Sequence, residues 1–460
     1  MRIALSLGLS LHLVAAGLTA EPLSVSDQRP DIAEISDLPD STRSLRQAIS
    51  DQDGSLVLKA GFYRITEPLE ITLGQTRSTI VRPADGPVTL VMDGPGPAIR
   101  VTGSHEGTAS PKSFEPATWN ERMPLIEGIE IVGNHPEADG IELVRCVNPT
   151  ISRVTVRWCR HGIRLADRNR NVVVSDVHLY ENQGIGLYLD DVNLHQINVA
   201  NSHISYNRQG GIVVRDGNVR NLQITGCDIE GNMPDDDTPT TTANILLDVS
   251  GSPDDKRKSI AEVAITGCTI QHSSNYSGDT YDSIAPGGAN IRLLGKEIWP
   301  IDSVTISGNV ISDTSVNIDI RRSTDVTLTG NTLFAPNPDF LHVADSRRVV
   351  VNGNTFNPRQ FERAGRIVFD RCEDCIVSNC TFRALHADDG AIAVRNSARI
   401  NLTSNILTES RSGLVLENAK DVAVKNWMVS GLPAATPLVA HDEASRNIVE
   451  SGNHIASGDE

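Results

Sequence analysis

From residue 140 onward, aliphatic and polar residues alternate in short runs that recur along the chain. Gly or Asn, then Ile or Leu, then any residue, then an aliphatic begins at Gly140, Gly162, Gly186, Gly211, Asn244, Asn290 and Asn317. Weaker copies begin at Phe340, Arg366, Ala391 and Gly413. Successive starts lie 22–27 residues apart, except for two wide intervals of 33 and 46. A second phrase recurs between them, as in Ile224-Thr-Gly-Cys-Asp-Ile and Leu328-Thr-Gly-Asn-Thr-Leu. One of its positions reads Cys227, Cys268, Asn309, Asn331, Asn354, Cys380, Asn405 in successive copies. Alternation with period two is the signature of strands; a helical solenoid would need apolar residues at i, i+3, i+4 and i+7.

A strand unit of this kind, repeated about every 23 residues, predicts an all-β solenoid. Each copy is one coil of several short parallel strands, stacked about 4.8 Å from the next. Alternate side chains fill a narrow core, and Gly and Asn take the turns, where left-handed backbone is needed. Stacked Asn amides are expected to bond from rung to rung. The sequence predicts about 12 coils within residues 41–435. Residues 41–50 form an amphipathic helix using Leu45, Ala48 and Ile49 that plugs the first coil, because quasi-one-dimensional folds need protected ends. Residues 436–460 read as a degraded terminal coil and polar tail, and 21–40 as a linker.

Residues 1–20 read as an export signal: Arg2, an uncharged apolar run from Ile3 to Leu18, and Ala20 before Glu21 as the cleavage point. The expected location is therefore secreted or periplasmic. No later stretch approaches 18 consecutive apolar residues, so no membrane span is expected. Hydrophobic residues at 39% and charged residues at 22% exclude wholesale disorder. A formal charge of −17 argues against nucleic acid as a partner, since phosphate backbones select clustered Lys and Arg. Seven cysteines leave at least one unpaired. Cys372 and Cys375, with Cys380 and His386 nearby, leave open a local disulfide, buried thiols or a zinc-type site.

The helix at 41–50, the run Val57-Leu-Lys-Ala-Gly-Phe-Tyr-Arg-Ile and the repeats to about residue 430 resemble the right-handed parallel β-helix proteins of the pectin-lyase-like superfamily. The resemblance implies a right-handed parallel β-helix. It does not choose an activity, because this fold hosts lyases, hydrolases, epimerases and adhesins. Polygalacturonases of this fold carry Asn-Thr-Asp-Gly, Asp-Asp and Gly-His-Gly on successive coils. Only Asp139 and His161 match single positions of that pattern here. Asp388-Asp389-Gly390 looks like the Asp-Asp pair but lies many coils later.

In the strand phrase both variable positions face outward on one sheet. The first variable position reads Glu142, Arg164, Tyr188, Val213, Leu246, Arg292, Asp319 and His342 along the coils, and the second reads Val144, Ala166, Asp190, Arg215, Asp248, Leu294 and Arg321. Tyr188, Asp190, Arg215, Asp248, Asp319 and His342 are the catalytic candidates, with Arg292 and Arg321 as substrate-binding groups. The wide intervals place long loops immediately before this sheet. Tyr276 and Tyr281 in the second loop are further substrate-binding candidates, because loops on a scaffold concentrate function. An early insertion, residues 103–124, carries Trp119.

Two chemistries on a polysaccharide suit such a face. Inverting hydrolysis needs an acid and a base roughly 6.5–9.5 Å apart; Asp190 and Asp248, two coils apart, are spaced at about 9.6 Å. Elimination from a uronate needs a cation on the carboxylate and a base for the C5 proton. Arg215, Arg292 or Arg321 supplies the cation, and Tyr188 or His342 the base. Calcium held by Asp190 and Asp248 is the alternative cation, although it prefers six or more oxygens. Three arginines on one face tilt the expectation toward a lyase over a glycoside hydrolase. The competing class is a non-catalytic glycan-binding or surface-adhesion solenoid.

Overall fold

The alternating runs become strands wherever the sequence expects them. The computed structural model describes residues 37–75, 79–108, 110–234, 238–255, 258–273, 285–359 and 365–456. The export reading of residues 1–20 and most of the linker lie outside the described residues. Every strand pairing is parallel and joins a strand to its counterpart in the next coil, so the chain winds as a β-solenoid.

Each coil contributes up to three strands. The first belongs to what we term the face sheet, for example Gly210–Arg215, Ala243–Asp248, Ala289–Leu294 and Val316–Arg321. The second belongs to the flank sheet, such as Asn218–Thr225 and Ser259–Thr266. The third belongs to the back sheet. Two strands, Ile163–Ser175 and Ile185–Ala200, run through the face-to-flank corner without a break, so face and flank form one hydrogen-bonded surface of 27 strands. The back sheet has 15 strands, giving about 15 turns where the sequence predicted about 12. The additional coils lie mainly at the front, where Leu56–Leu58, Leu69–Thr72 and Ile80–Pro83 stack without the Gly/Asn phrase that betrays the later ones.

The core is a set of aliphatic columns. Ile141, Ile163, Leu187, Ile212 and Ile245 stand in register and are buried. Near the rear the filling turns aromatic: Phe356, Phe382 and Trp427 stack at centroid separations of 5.0 and 5.9 Å. At the front the helix Thr42–Asp51, expected at 41–50, buries Leu45 and Ile49 against the first coils. Strands Val439–His441, Arg446–Ser451 and His454–Ile455 carry the three sheets through the terminal coil.

Two asparagine columns line the corners. The one read from the sequence bonds as expected: Asn309 Nδ2 donates to Asn331 Oδ1 at 3.0 Å, and Asn331 Nδ2 to Asn354 Oδ1 at 2.9 Å. The second, at the back-to-face corner, runs Asn182, Asn207, Asn232, Asn244, Asn290 and Asn317, with successive amide contacts of 2.8, 2.7, 2.9, 2.8 and 3.3 Å. Asn207 is fully buried and fully satisfied. It donates to Leu179 O and Asn232 Oδ1, and accepts from the backbone and side-chain amides of Asn182. All seven cysteines are buried thiols, and among the described residues no three metal-ligating side chains stand together.

Asn207→Ala strands a carbonyl and two amide donors in a dry corner and should lower unfolding free energy by about 2–5 kcal/mol. Chemical denaturation beside Asn401→Ala, on the exposed flank, gives the comparison; that variant should fall within about 0.5 kcal/mol of the parent.

Candidate functional site on the face sheet

The outward columns stack in the register that the sequence predicts. Glu142, Arg164, Tyr188, Val213, Leu246, Arg292, Asp319 and His342 are successive Cα partners. Beside them run Asp190, Arg215, Asp248, Leu294 and Arg321. The candidates therefore share one face, but not one site. Tyr188 and His342 are five rungs apart, roughly 24 Å at the usual strand spacing.

The middle of the face is apolar. Ile185, Val213, Ala243, Leu246 and Ala289 form a separate cluster against which Tyr188, Leu294 and Val316 pack. Val213 and Leu246 point outward yet are buried, because the ends of the two inserted loops fold down over them. Thr240 N donates to Pro286 O at 2.8 Å and ties one loop to the other. Tyr276 and Tyr281 lie outside the described residues.

Arg292 explains how the loop ends are held. Its Nη1 donates to Thr242 O at 3.1 Å, its Nη2 to Gly287 O at 2.6 Å and its Nε to Asp319 at 2.9 Å. Its side chain is 5% exposed. The role of substrate ligand expected for Arg292 is taken up instead by the protein: all three nitrogens donate to loop carbonyls or to Asp319, and the side chain is buried beneath the loop ends. Burial pushes its pKa down, opposed by the Asp319 charge.

Asp319 is the hub of the rear half. Only 1% of its side chain is exposed, so it cannot touch a substrate and acts through its neighbours. Its Oδ2 accepts from Arg292, and its Oδ1 from Arg321 Nε at 2.9 Å and from His342 Nδ1 at 3.1 Å. Burial alone would raise its pKa. The His342 hydrogen bond, the Arg292 charge and Arg321 overcome that and bring it down to about 2. An ionised carboxylate only accepts, so Nδ1 of His342 carries the proton and a neutral ring keeps its Nε2 lone pair free. His342 is 25% exposed and Arg321 47%, and among the described residues the Nη groups of Arg321 make no hydrogen bond. An imidazole and a guanidinium bound through its Nε thus flank one buried carboxylate oxygen.

The front half is a chain of paired charges. Arg164 grips Asp190 Oδ2 through Nε and Nη2, at 3.0 and 2.5 Å, and reaches Glu142 with Nη1 at 2.5 Å. Asp248 accepts from Ser250 N at 2.8 Å and Ser250 Oγ at 2.6 Å. Each carboxylate of the acid–base pair expected of them is thus held through one of its two oxygens. Arg215 stands between them in register, a cation on the rung where calcium would have to bridge the two carboxylates. Tyr188 is half-buried, with Arg215 5.9 Å from its ring centroid and His161 5.2 Å away. Burial, and then the Asp190 carboxylate, push its phenol up to about 12. Burial and the Asp190 charge thus work against the role of base expected of it.

His161, which the sequence matched only singly, is locked in place. Its Nδ1 accepts from Ile185 N at 3.1 Å, and its backbone NH donates to Asp139, which Arg160 holds with two hydrogen bonds. Gly184 makes room for it; a Cβ there would stand 2.7 Å from the imidazole ring. Arg164 and Glu142 stand in the predicted column one and two rungs before Tyr188, and that position was the signal available for them. His178 and His203 stack on the back sheet at 4.9 Å, away from this face.

The family model described as the right handed beta helix region matches residues 98–252 and 256–429. The chain belongs to this family, and its fold is the right-handed parallel β-helix. No curated protein matches its sequence. Among solved structures, the β-helix is similar to the Azotobacter vinelandii mannuronan C-5 epimerase AlgE6 A-module at 13% identity and a TM-score of 0.42, covering 91% of this chain and 96% of that one. It is similar to a family 28 exopolygalacturonase of Yersinia enterocolitica at 13% identity and TM-score 0.41, covering 90% and 75%. The tailspike gp49 of Pseudomonas phage LKA1 gives 11%, 0.48, 88% and 76%. Likeness at these levels concerns the fold alone.

Asp319→Asn should destabilise the β-helix by about 2–4 kcal/mol at pH 7, because Arg292 is left buried without its counter-charge. The depressed pKa makes this contribution complete above the ordinary carboxylate range near 3.8 and lost as pH falls through about 2. Denaturation midpoints of parent and variant should therefore converge between about pH 4 and pH 2.

Proposed function

We propose that the protein is an exported carbohydrate-active enzyme, a polysaccharide lyase acting on an acidic polysaccharide laid along the face sheet. The observation that carries this reading is the His342–Asp319–Arg321 arrangement. Asp319 orients His342 and fixes its tautomer, as a buried carboxylate does for a general base elsewhere. Arg321, beside it, presents its Nη groups to a uronate carboxylate and lowers the cost of charge developing at C5. His342 Nε2 takes the C5 proton, the C4–C5 double bond forms, and the C4–O4 bond breaks. The imidazolium is then the nearest acid to return a proton to the departing oxygen. Hydrolysis has weaker support, because Arg164 holds one oxygen of Asp190 in an ion pair and Arg215 stands between Asp190 and Asp248.

The paired charges of the front half favour a second reading, non-catalytic binding of glycans along the same face. A panel of uronate polysaccharides separates the two readings by the ultraviolet absorbance of the unsaturated product. For the lyase, His342→Ala should cut kcat by about 10²–10⁴. Arg321→Ala should raise KM and lower kcat together, and Asp190→Asn, about four rungs from Arg321, should cost less than tenfold. Reducing ends without the unsaturated product would transfer the reading to hydrolysis. Retained glycan binding without any product would transfer it to the binding protein.

A further inference from the structure

Nearly every arginine on the front coils meets a carboxylate: Arg100, Arg145, Arg157, Arg160 and Arg164 are all in ion pairs. Around the face-to-flank corner of the same coils the pattern breaks. Arg170, His195 and Arg220 stand in register on three successive rungs. Arg170 is 3% exposed and spends its guanidinium on Asn169 O, Asn193 O and Asn193 Oδ1. Arg220 bonds to Val219 O, Ser259 O and Ser259 Oγ. Arg168, on the same strand, reaches only Gly107 O, and its Nε is buried without a partner. None of the three forms an ion pair among the described residues.

The nearby acids are committed elsewhere. Glu106 and Asp167 both pair with Arg145, and Glu262 accepts from Asn221 Nδ2. Burial, and then the neighbouring Arg168, push Arg170 down to about 10. A buried cation with no counter-charge is costly, and the structure offers room for one. A cavity of about 410 Å³ opens here, lined by Thr108, Ser110, Arg170, Asn171, His195, Gln196 and Asn221. No acidic residue is in that lining. Asn171 Oδ1 is buried without a partner beside it, as is Nε2 of His105, itself 3% exposed, in the insertion that walls the cavity. Burial and then the charges of Arg170, Arg220 and Arg168 lower the pKa of His195, so its imidazole is neutral until an anion arrives.

We propose that this corner is an anion-binding subsite, separate from the His342 site, that takes a carboxylate or sulfate group of an acidic saccharide. The anion supplies the missing counter-charge to Arg170 and Arg220, with Gln196 and Ser110 donating from the rim. It uses no residue of the lyase site and stands if that reading falls.

Calorimetric melting of the full chain at constant ionic strength tests it, with millimolar chloride exchanged for inorganic sulfate or for glucuronate. These concentrations lie far below those at which sulfate stabilises proteins by exclusion. The parent and His342→Ala should both gain about 1–3 °C from sulfate, glucuronate or both. The anion that acts distinguishes a sulfate ester from a uronate as the natural ligand. His195→Asp places a carboxylate between the two arginines. It should melt above the parent in chloride and gain nothing from either anion. Arg220→Gln, a milder change, should lose most of the anion's shift. No shift in the parent with either anion, or an undiminished shift in His195→Asp and Arg220→Gln, overturns the proposal.

Discussion

A buried side-chain amide that misses its partners costs more than most single packing contacts, and this protein stacks such amides on consecutive coils along stretches of two corners. Asn207 can satisfy its donors only if Asn232 and Leu179 arrive at the right height, and Asn182 then depends on Asn207 in turn. Each rung fixes the next. Aliphatic columns alone tolerate some sliding, since one methyl packs much like another. The amide columns do not, and a slip of one residue would also turn every core side chain outward. The alignment of the face sheet, and all chemistry proposed for it, inherits that rigidity.

With the coils held in this way, the face divides into regions with different physics. In front, Arg164, Glu142 and Asp190 neutralise one another near the surface. In the middle, loop ends cover an apolar patch and use Arg292 as their anchor. Behind it, a carboxylate kept ionised by surrounding cations and an imidazole positions two groups that reach solvent. Burial converts three similar rows of polar residues into a salt lattice, an anchor and a site with unspent donors. The same accounting exposes the corner around Arg170, where cations outnumber the carboxylates within reach.

The columns were legible in the sequence because strand periodicity is strict: once Gly140 and Gly162 are aligned, Tyr188, Arg292 and His342 follow without reference to side-chain detail. Partner choice was not legible. Nothing in the repeat says that Arg164 would turn toward Asp190, or that Arg292 would turn up to meet Thr242 and Gly287 in loops that obey no repeat. Burial of Asp319 and the shift of Tyr188 follow from those choices and were equally hidden. The front coils escaped notice for a related reason: Leu69–Thr72 and Ile80–Pro83 pack like their successors, but their corners lack the Gly and Asn that mark a turn. The second amide column was hidden because its members come from two different phrases.

That column has an unusual joint. Asn232 and Asn244 sit on either side of the first inserted loop, only 12 residues apart, yet they occupy consecutive rungs. The hand-over lets the ladder pass beneath the insertion rather than through it. Whatever the chain does between those two residues is invisible to the stack below, so the loop is a cassette. It can lengthen, shorten or be replaced over evolutionary time while the rod keeps its pitch, and new specificities can be tried on the face without renegotiating the architecture that presents them.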